Sequence, residues 1–162
     1  MGFGLSKDVI KKEINKNRAV IGQAAQEMLD MVSSGELENQ NCPVTHRFAD
    51  NCYLREIFMP KGTLIIGKIH ATQHFNVILK GDVTVLTATG VERLSAPYTF
   101  ISEAGTQKVV AVHSDCIWQT LHVTDSKDLD EIESQVIVED HDDLSFDGLI
   151  EKHLGGLLCR GD

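Results

Sequence analysis

Residues 67–81 read Gly67-Lys68-Ile69-His70-Ala71-Thr72-Gln73-His74-Phe75-Asn76-Val77-Ile78-Leu79-Lys80-Gly81. From His74 to Lys80 the run is long enough for one strand, and Gly81-Asp82 closes it with a turn signal. Glycine suits that position because tight turns between antiparallel strands need a positive φ. A strand turns successive side chains to opposite faces. Lys68, His70 and His74 are separated by even numbers of residues, so they are predicted to share a face. Two imidazoles and an ammonium gathered inside a barrel would favour an anion such as a carboxylate or phosphate.

The same period of two extends outward in both directions. Tyr53 to Met59 reads as a strand closed by Pro60-Lys61-Gly62. Thr63 to His70, Asp82 to Ala88, Val91 to Ser95, Gln107 to His113 and Cys116 to Val123 follow the same pattern. Thr89-Gly90, Ala104-Gly105 and Ser114-Asp115 supply further turns. Many short strands at this spacing predict a sandwich or barrel over residues 50–124, not a parallel sheet. His122 shares parity with Trp118 and Thr120, so these three can line the same cavity. His113 precedes a turn, and His46, His141 and His153 fall in loop or helical stretches where exposure is expected.

Both flanks change period. In residues 1–49, Ile10, Ile14, Ile21, Ala25, Met28 and Val32 form one stripe of an amphipathic helix over residues 6–33. Ser6 is placed to cap it, and Ser33-Ser34-Gly35 to end it. Glu36 to Asn51 reads as a loop. In residues 125–162, Asp128 and Glu131 form a capping box before Ile132, Val136 and Ile137. Leu144 to Leu158 reads as a second amphipathic segment, carrying Leu149, Ile150, Leu154, Leu157 and Leu158.

Composition narrows the function classes. The net charge of −9 argues against nucleic acid, which requires a concentrated basic face. Much of that charge sits between Lys127 and Asp143, where eight acids stand against one lysine, a local −7. The first 33 residues hold five bases and four acids, so the two ends can attract within or between chains. No apolar run is long enough to span a bilayer, so membrane insertion is not expected. Cys42, Cys52, Cys116 and Cys159 form no C-x-x-C pair, and without a secretion signal reduced thiols in a cytoplasm are the expectation.

The run from Gly67 to Gly81 resembles the first motif of the cupins, small double-stranded jelly-roll barrels, and Ser102-Glu103-Ala104-Gly105-Thr106-Gln107-Lys108 resembles their second. The resemblance implies a mainly β, cupin-type jelly-roll barrel with an N-terminal amphipathic helix and a C-terminal helical extension. It covers about half of the chain. Carried over residue by residue, the family's four metal-ligand positions fall on Lys68, His70, His74 and Lys108, where His, His, Glu and His are the pattern. Lysine must lose a proton before it can coordinate. His70 and His74 are therefore the two candidates for a divalent metal, and a resident cofactor is not expected.

The stretches 69–87, 96–110 and 122–137 also resemble small cupin-like proteins of tailed bacteriophages. That resemblance implies a host cytoplasm or a virion as the setting. Three readings follow. The first is a non-enzymatic structural or interaction protein, a virion component or assembly factor that forms homo-oligomers and contacts other phage structural proteins. The second is a module that binds or sequesters a small anionic ligand through Lys68, His70, His74 and Lys108, with Trp118 and His122 lining the same pocket. The third is a metal-dependent cupin enzyme. Leaving both apolar stripes in water would forfeit more than roughly 10 kcal/mol, so an oligomer, most simply a dimer, is expected to cover them.

Overall fold

The structure is a computed structural model that describes residues 6–138. Helix α1 spans Lys7–Ser34. Strands β1 (Val44–Ala49), β2 (Cys52–Met59), β3 (Leu64–Ile66), β4 (Ile69–His70), β5 (His74–Thr87), β6 (Gly90–Ser95), β7 (Tyr98–Ser102) and β8 (Val109–Val123) follow. Helix α2 (Leu129–Val136) and strand β9 (Ile137–Val138) complete the order. The predicted segment from Leu144 to Leu158 lies outside the described residues. Among those described, no helix is long and apolar enough to cross a membrane.

Two long strands organise the sheet, whose order is β1-β2-β8-β5-β6 with β3 added to β8 and β7 to β5. Each long strand serves two layers. The first half of β5 pairs with β7 and with the second half of β8, through Phe75↔Ile101 and Phe75↔Leu121. Its second half pairs with β6 and with the first half of β8, through Val83↔Leu94 and Val83↔Val112. The register shifts between Ile78 and Val83, so the sheet folds over at that point. Residues from both layers share one core, including Ile78 and Trp118 from one and Val83, Val85, Val110 and Val112 from the other. This is the mainly β jelly-roll architecture that the cupin resemblance implies, with a helix before and after it.

Gly81 sits at the fold-over with φ +105. A Cβ there would lie 2.8 Å from the Asp115 carbonyl oxygen and 2.8 Å from the Cys116 Cα. The glycine therefore allows two backbones to approach at a bulge. Gly81-Asp82 and Ser114-Asp115 were expected to be turns that separate strands; instead β5 and β8 run through them. The bends occur side by side, so ladder pairing resumes on the far side.

Other boundaries also shift. The expected loop from Glu36 to Asn51 contains β1, an edge strand paired with β2 from Val44↔Ile57 to Ala49↔Cys52. Most of β1 is exposed, which weakens the pattern that marks half-buried strands. The run Thr63 to His70 breaks at Gly67, whose N–H donates to the Lys108 carbonyl at 2.8 Å. β4 leaves the main sheet and pairs with β9. β7, next to the turn at Ala96-Pro97, goes beyond the expected strands.

Helix α1 begins and ends where its caps predict. The Ser6 side chain accepts from the Val9 N–H, and Gly35 closes it in the left-handed region at φ 82. Ile10, Ile14, Arg18 and Ile21 are buried, while Ala25, Met28 and Val32 are half-buried. Asn17 Nδ2 donates to the Ala88 carbonyl at 2.9 Å, which ties the helix to its own barrel. The first half of the stripe is thus covered within one chain. Helix α2 starts on the expected box, Asp128 accepting from the Glu131 N–H at 2.9 Å. Its Ile132 and Val136 pack against Tyr53 at one end of the barrel.

Candidate functional site

Strand parity builds the site. On β2, Tyr53, Arg55, Ile57 and Met59 alternate onto one face. Across the ladder they meet His122, Thr120, Trp118 and Cys116 of β8. β5 brings His74 and Asn76, the latter opposite Thr120. β4 adds His70, whose N–H donates to the Thr106 carbonyl at 3.1 Å and whose carbonyl accepts from Gly105 at 2.7 Å. Lys108 immediately precedes β8. A cavity of about 590 Å³ opens among these strands, and Leu129, Ile132 and Val136 of α2 close over it.

Three imidazoles cluster at its polar end. Ring centroids lie 4.3 Å apart for His70 and His74, 4.8 Å for His74 and His122, and 5.6 Å for His70 and His122. The Thr72 carbonyl lies 3.0 Å from His74 Nδ1, which fixes Nδ1 as the N–H donor of a neutral ring. His74 Nε2 is then an acceptor, and the buried Lys108 ammonium donates to it at 3.3 Å. His70 Nδ1 and His122 Nδ1 are buried without a hydrogen-bond partner among the described residues.

Burial and charge act together on these rings. Burial pushes His70 down to about 2, and Lys108, His74 and His122 add to the effect, while a hydrogen bond to the Thr106 backbone opposes it. His74 falls to about 3, through burial first and Lys108 second. His122 falls to about 4, through burial, Lys108 and Arg55. A low-dielectric site resists a second positive charge beside an existing one. All three rings are therefore neutral at pH 7.

The walls are held by their own bonds. Asn76, fully buried, accepts from the Trp118 indole N–H at 3.2 Å and donates to Ser102 Oγ at 2.9 Å. Tyr53 hydroxyl and His46 Nδ1 lie 2.6 Å apart; His46 is exposed as expected, but it sits on β1 at the edge of the cavity instead of in a loop. His113 is on the exposed surface with Thr84.

Of the residues singled out from sequence, His70, Lys108, Trp118 and His122 line the cavity, and His74 stands behind them, bonded to Lys108. Lys68 joins them at the rim of the same cavity. Its ammonium pairs with Glu133 of α2, both side chains largely exposed at the rim. Despite the break in the strand at Gly67, Lys68 and His70 line the same cavity. Arg55 and Asn76 were missed, although their parity with Tyr53 and His74 was the available signal. His141 and His153 lie outside the described residues.

As arranged, the donors do not fit a divalent ion. Among the described residues no group of three His, Cys, Asp or Glu has the geometry to hold one. The Nε2 lone pair of His74, the one freed by the Thr72 bond, already accepts from Lys108. A fixed ammonium thus stands where a cation would have to bind.

No protein-family profile matches the chain, and no curated protein sequence does. Solved structures with similar backbones include cupin-domain proteins. A cupin-2 domain-containing protein from Shewanella frigidimarina is 10% identical, with a TM-score of 0.44 over 57% of this chain and 90% of that one. An RmlC-like cupin family protein with a double-stranded β-helix fold, from Methanocaldococcus jannaschii, is 9% identical, with a TM-score of 0.46 over 54% and 84%. An acetylacetone dioxygenase from Acinetobacter johnsonii is 13% identical, with a TM-score of 0.45 over 52% and 61%. What those proteins act on stays with them at such identities.

Proposed function

We propose that this chain is a non-enzymatic, cupin-like binding protein that holds a small anionic molecule inside its barrel. One observation carries the reading: Lys108, 7% exposed, lines a cavity of about 590 Å³ together with the neutral imidazoles of His70 and His122. A neutral imidazole has one N–H to donate, and a desolvated ammonium beside such donors attracts an anion. His70 Nδ1 and His122 Nδ1, without a partner among the described residues, can each meet an oxygen of the ligand. Apolar wall residues such as Met59, Val110 and Ile132 exclude water from the pair.

Catalysis is the weaker reading on chemical grounds. A general acid or base works best with a pKa near the working pH, and these imidazoles titrate at about 4 or below. Burial raises the Cys116 thiol to about 11, which leaves it a poor nucleophile.

A phage structural role is the second reading, and the outer sheet face favours it. Phe75, Leu79 and Ile101 are 52%, 50% and 42% exposed, with Phe75 directly opposite Ile101. Such a face suits a second copy or another structural protein, and light scattering of the purified chain tests for the oligomer.

Calorimetry with acetate, phosphate and citrate on the wild type and Lys108→Met tests the main reading. The expected result is binding of at least one anion that weakens by about tenfold or more in the variant, the loss typical of a charge-assisted hydrogen bond. Equal affinity in both proteins would overturn it.

A further inference from the structure

We infer that the ligand carries two anionic groups, one held by Lys108 at the imidazole cluster and the other by Arg55 on the facing strand. The inference rests on the anion-binding reading and adds a second anchor to it.

Arg55 occupies an inward position on β2, between Tyr53 and Ile57, where alternation otherwise supplies an aromatic or an aliphatic side chain. It lines the cavity and is half-buried. Outward-facing cations find carboxylates: Arg47 meets Glu56 at 3.3 Å, Arg93 meets Asp82 at 2.6 Å, and Lys68 meets Glu133. Arg55 has no such ion pair among the described residues. The cavity's acids, Asp130 and Glu133, both come from α2 at the rim, and Glu133 is already held by Lys68. An inward guanidinium is costly to desolvate, and a carboxylate matches its fork of donors.

Lys108 and Arg55 act on the cavity from different sides. Lys108 hydrogen-bonds His74 on β5, whereas Arg55 stands opposite Thr120 of β8 and His46 of β1. His122 lies between, its ring stacked 5.6 Å from His70 and 6.0 Å from Tyr53. Both cations depress its protonation, which places His122 within the field of each. A molecule bridging them would pass His122 Nδ1, which has no partner among the described residues. A linear dicarboxylate of suitable length meets these demands, because it offers an oxygen pair at each end and an apolar middle for Ile57 and Met59.

The test is titration calorimetry on the full chain at pH 7.5, with linear dicarboxylates from malonate to pimelate and the monocarboxylate of each chain length. The expected result is that the best dicarboxylate binds about tenfold or more tighter than its monocarboxylate, as a second charged hydrogen bond implies. Arg55→Gln is expected to remove that preference by weakening the dicarboxylate about tenfold more than the monocarboxylate. Lys108→Met is expected to weaken both. Equal binding of the two acids by the wild type, or a preference that survives in Arg55→Gln, overturns the second anchor. If Lys108→Met still weakens both acids in that case, the anion-binding reading stands. If no acid binds, or Lys108→Met has no effect, that reading falls and this inference with it. The wild-type comparison needs no variant, so misfolding of Arg55→Gln leaves the test intact.

Discussion

The two halves of β5 and β8 are built on the same ladder yet have opposite interiors. Beyond the fold-over, Val83, Val85, Val110 and Val112 point inward and are buried with Leu94. Before it, the same strands turn Asn76, Trp118, Thr120 and His122 toward the cavity, with His74 buried beside them. One half gains from removing apolar surface from water, at about 25 cal/mol per Å². The other half holds polar groups in a low-dielectric space, where each must be satisfied or costs stability. Trp118 joins the two, since its ring belongs to the apolar core while its N–H belongs to Asn76. The lesson is that the valine half supports a fold that the histidine half would not support alone.

Acid should separate the halves most strongly. The three imidazoles have folded values below the ordinary 6.5, at about 2, 3 and 4. Below pH 6.5 the unfolded chain takes up protons that the folded chain refuses. The stability is therefore fully present above pH 6.5 and is lost as pH falls toward 4 and below. At pH 5 the loss is on the order of a few kcal/mol for the coupled cluster. Denaturant midpoints at pH 7.5 and pH 5 measure it. A flat profile over that window would mean that the rings protonate normally, and the contrast between the halves would fail.

Truncation should then distinguish packing from binding. Ile78→Ala removes a fully buried side chain from the core and is expected to cost about 2–5 kcal/mol. Lys108→Met replaces a buried cation with an apolar chain of similar length and is expected to leave stability unchanged or raised. Chemical denaturation of the two variants compares them directly. Equal destabilisation would make Lys108 part of the framework.

The fold-over between the halves is itself open to test. Gly81→Ala adds a Cβ against backbone at a φ of +105 and is expected to cost about 1–3 kcal/mol. A loss confined to thermal stability, with native circular dichroism, would localise the strain to the bulge. No change at all would mean that the bend relaxes freely. The smallest effect is expected at the rim, where Lys68→Met breaks an exposed pair and should shift stability by less than about 1 kcal/mol. Ligand affinity should be unchanged in that variant, and a large loss would make Lys68 a ligand contact.

Local chemistry was readable from the chain. Ser6, Gly35 and the Asp128–Glu131 box mark helix ends because capping involves neighbours three or four residues apart. The period of two identified most strands, and Gly81 stood out as a backbone requirement. β1 was hidden because an exposed edge strand does not need apolar alternation. Parity also gave each strand two faces without saying which neighbour would lie beside it.

The amino-acid sequence by itself determined the alternation, the caps and the residue types from which a site could be made. The tertiary structure decided which of them meet. His74 and His122 are 48 residues apart, and their rings come within 4.8 Å only because β5 and β8 pair antiparallel. Arg55 faces the cavity because β2 adds to the same sheet, and Lys68 is held at the rim because α2 offers Glu133. Backbone geometry acts over a few residues and is written locally, whereas proximity across strands depends on how distant segments pack.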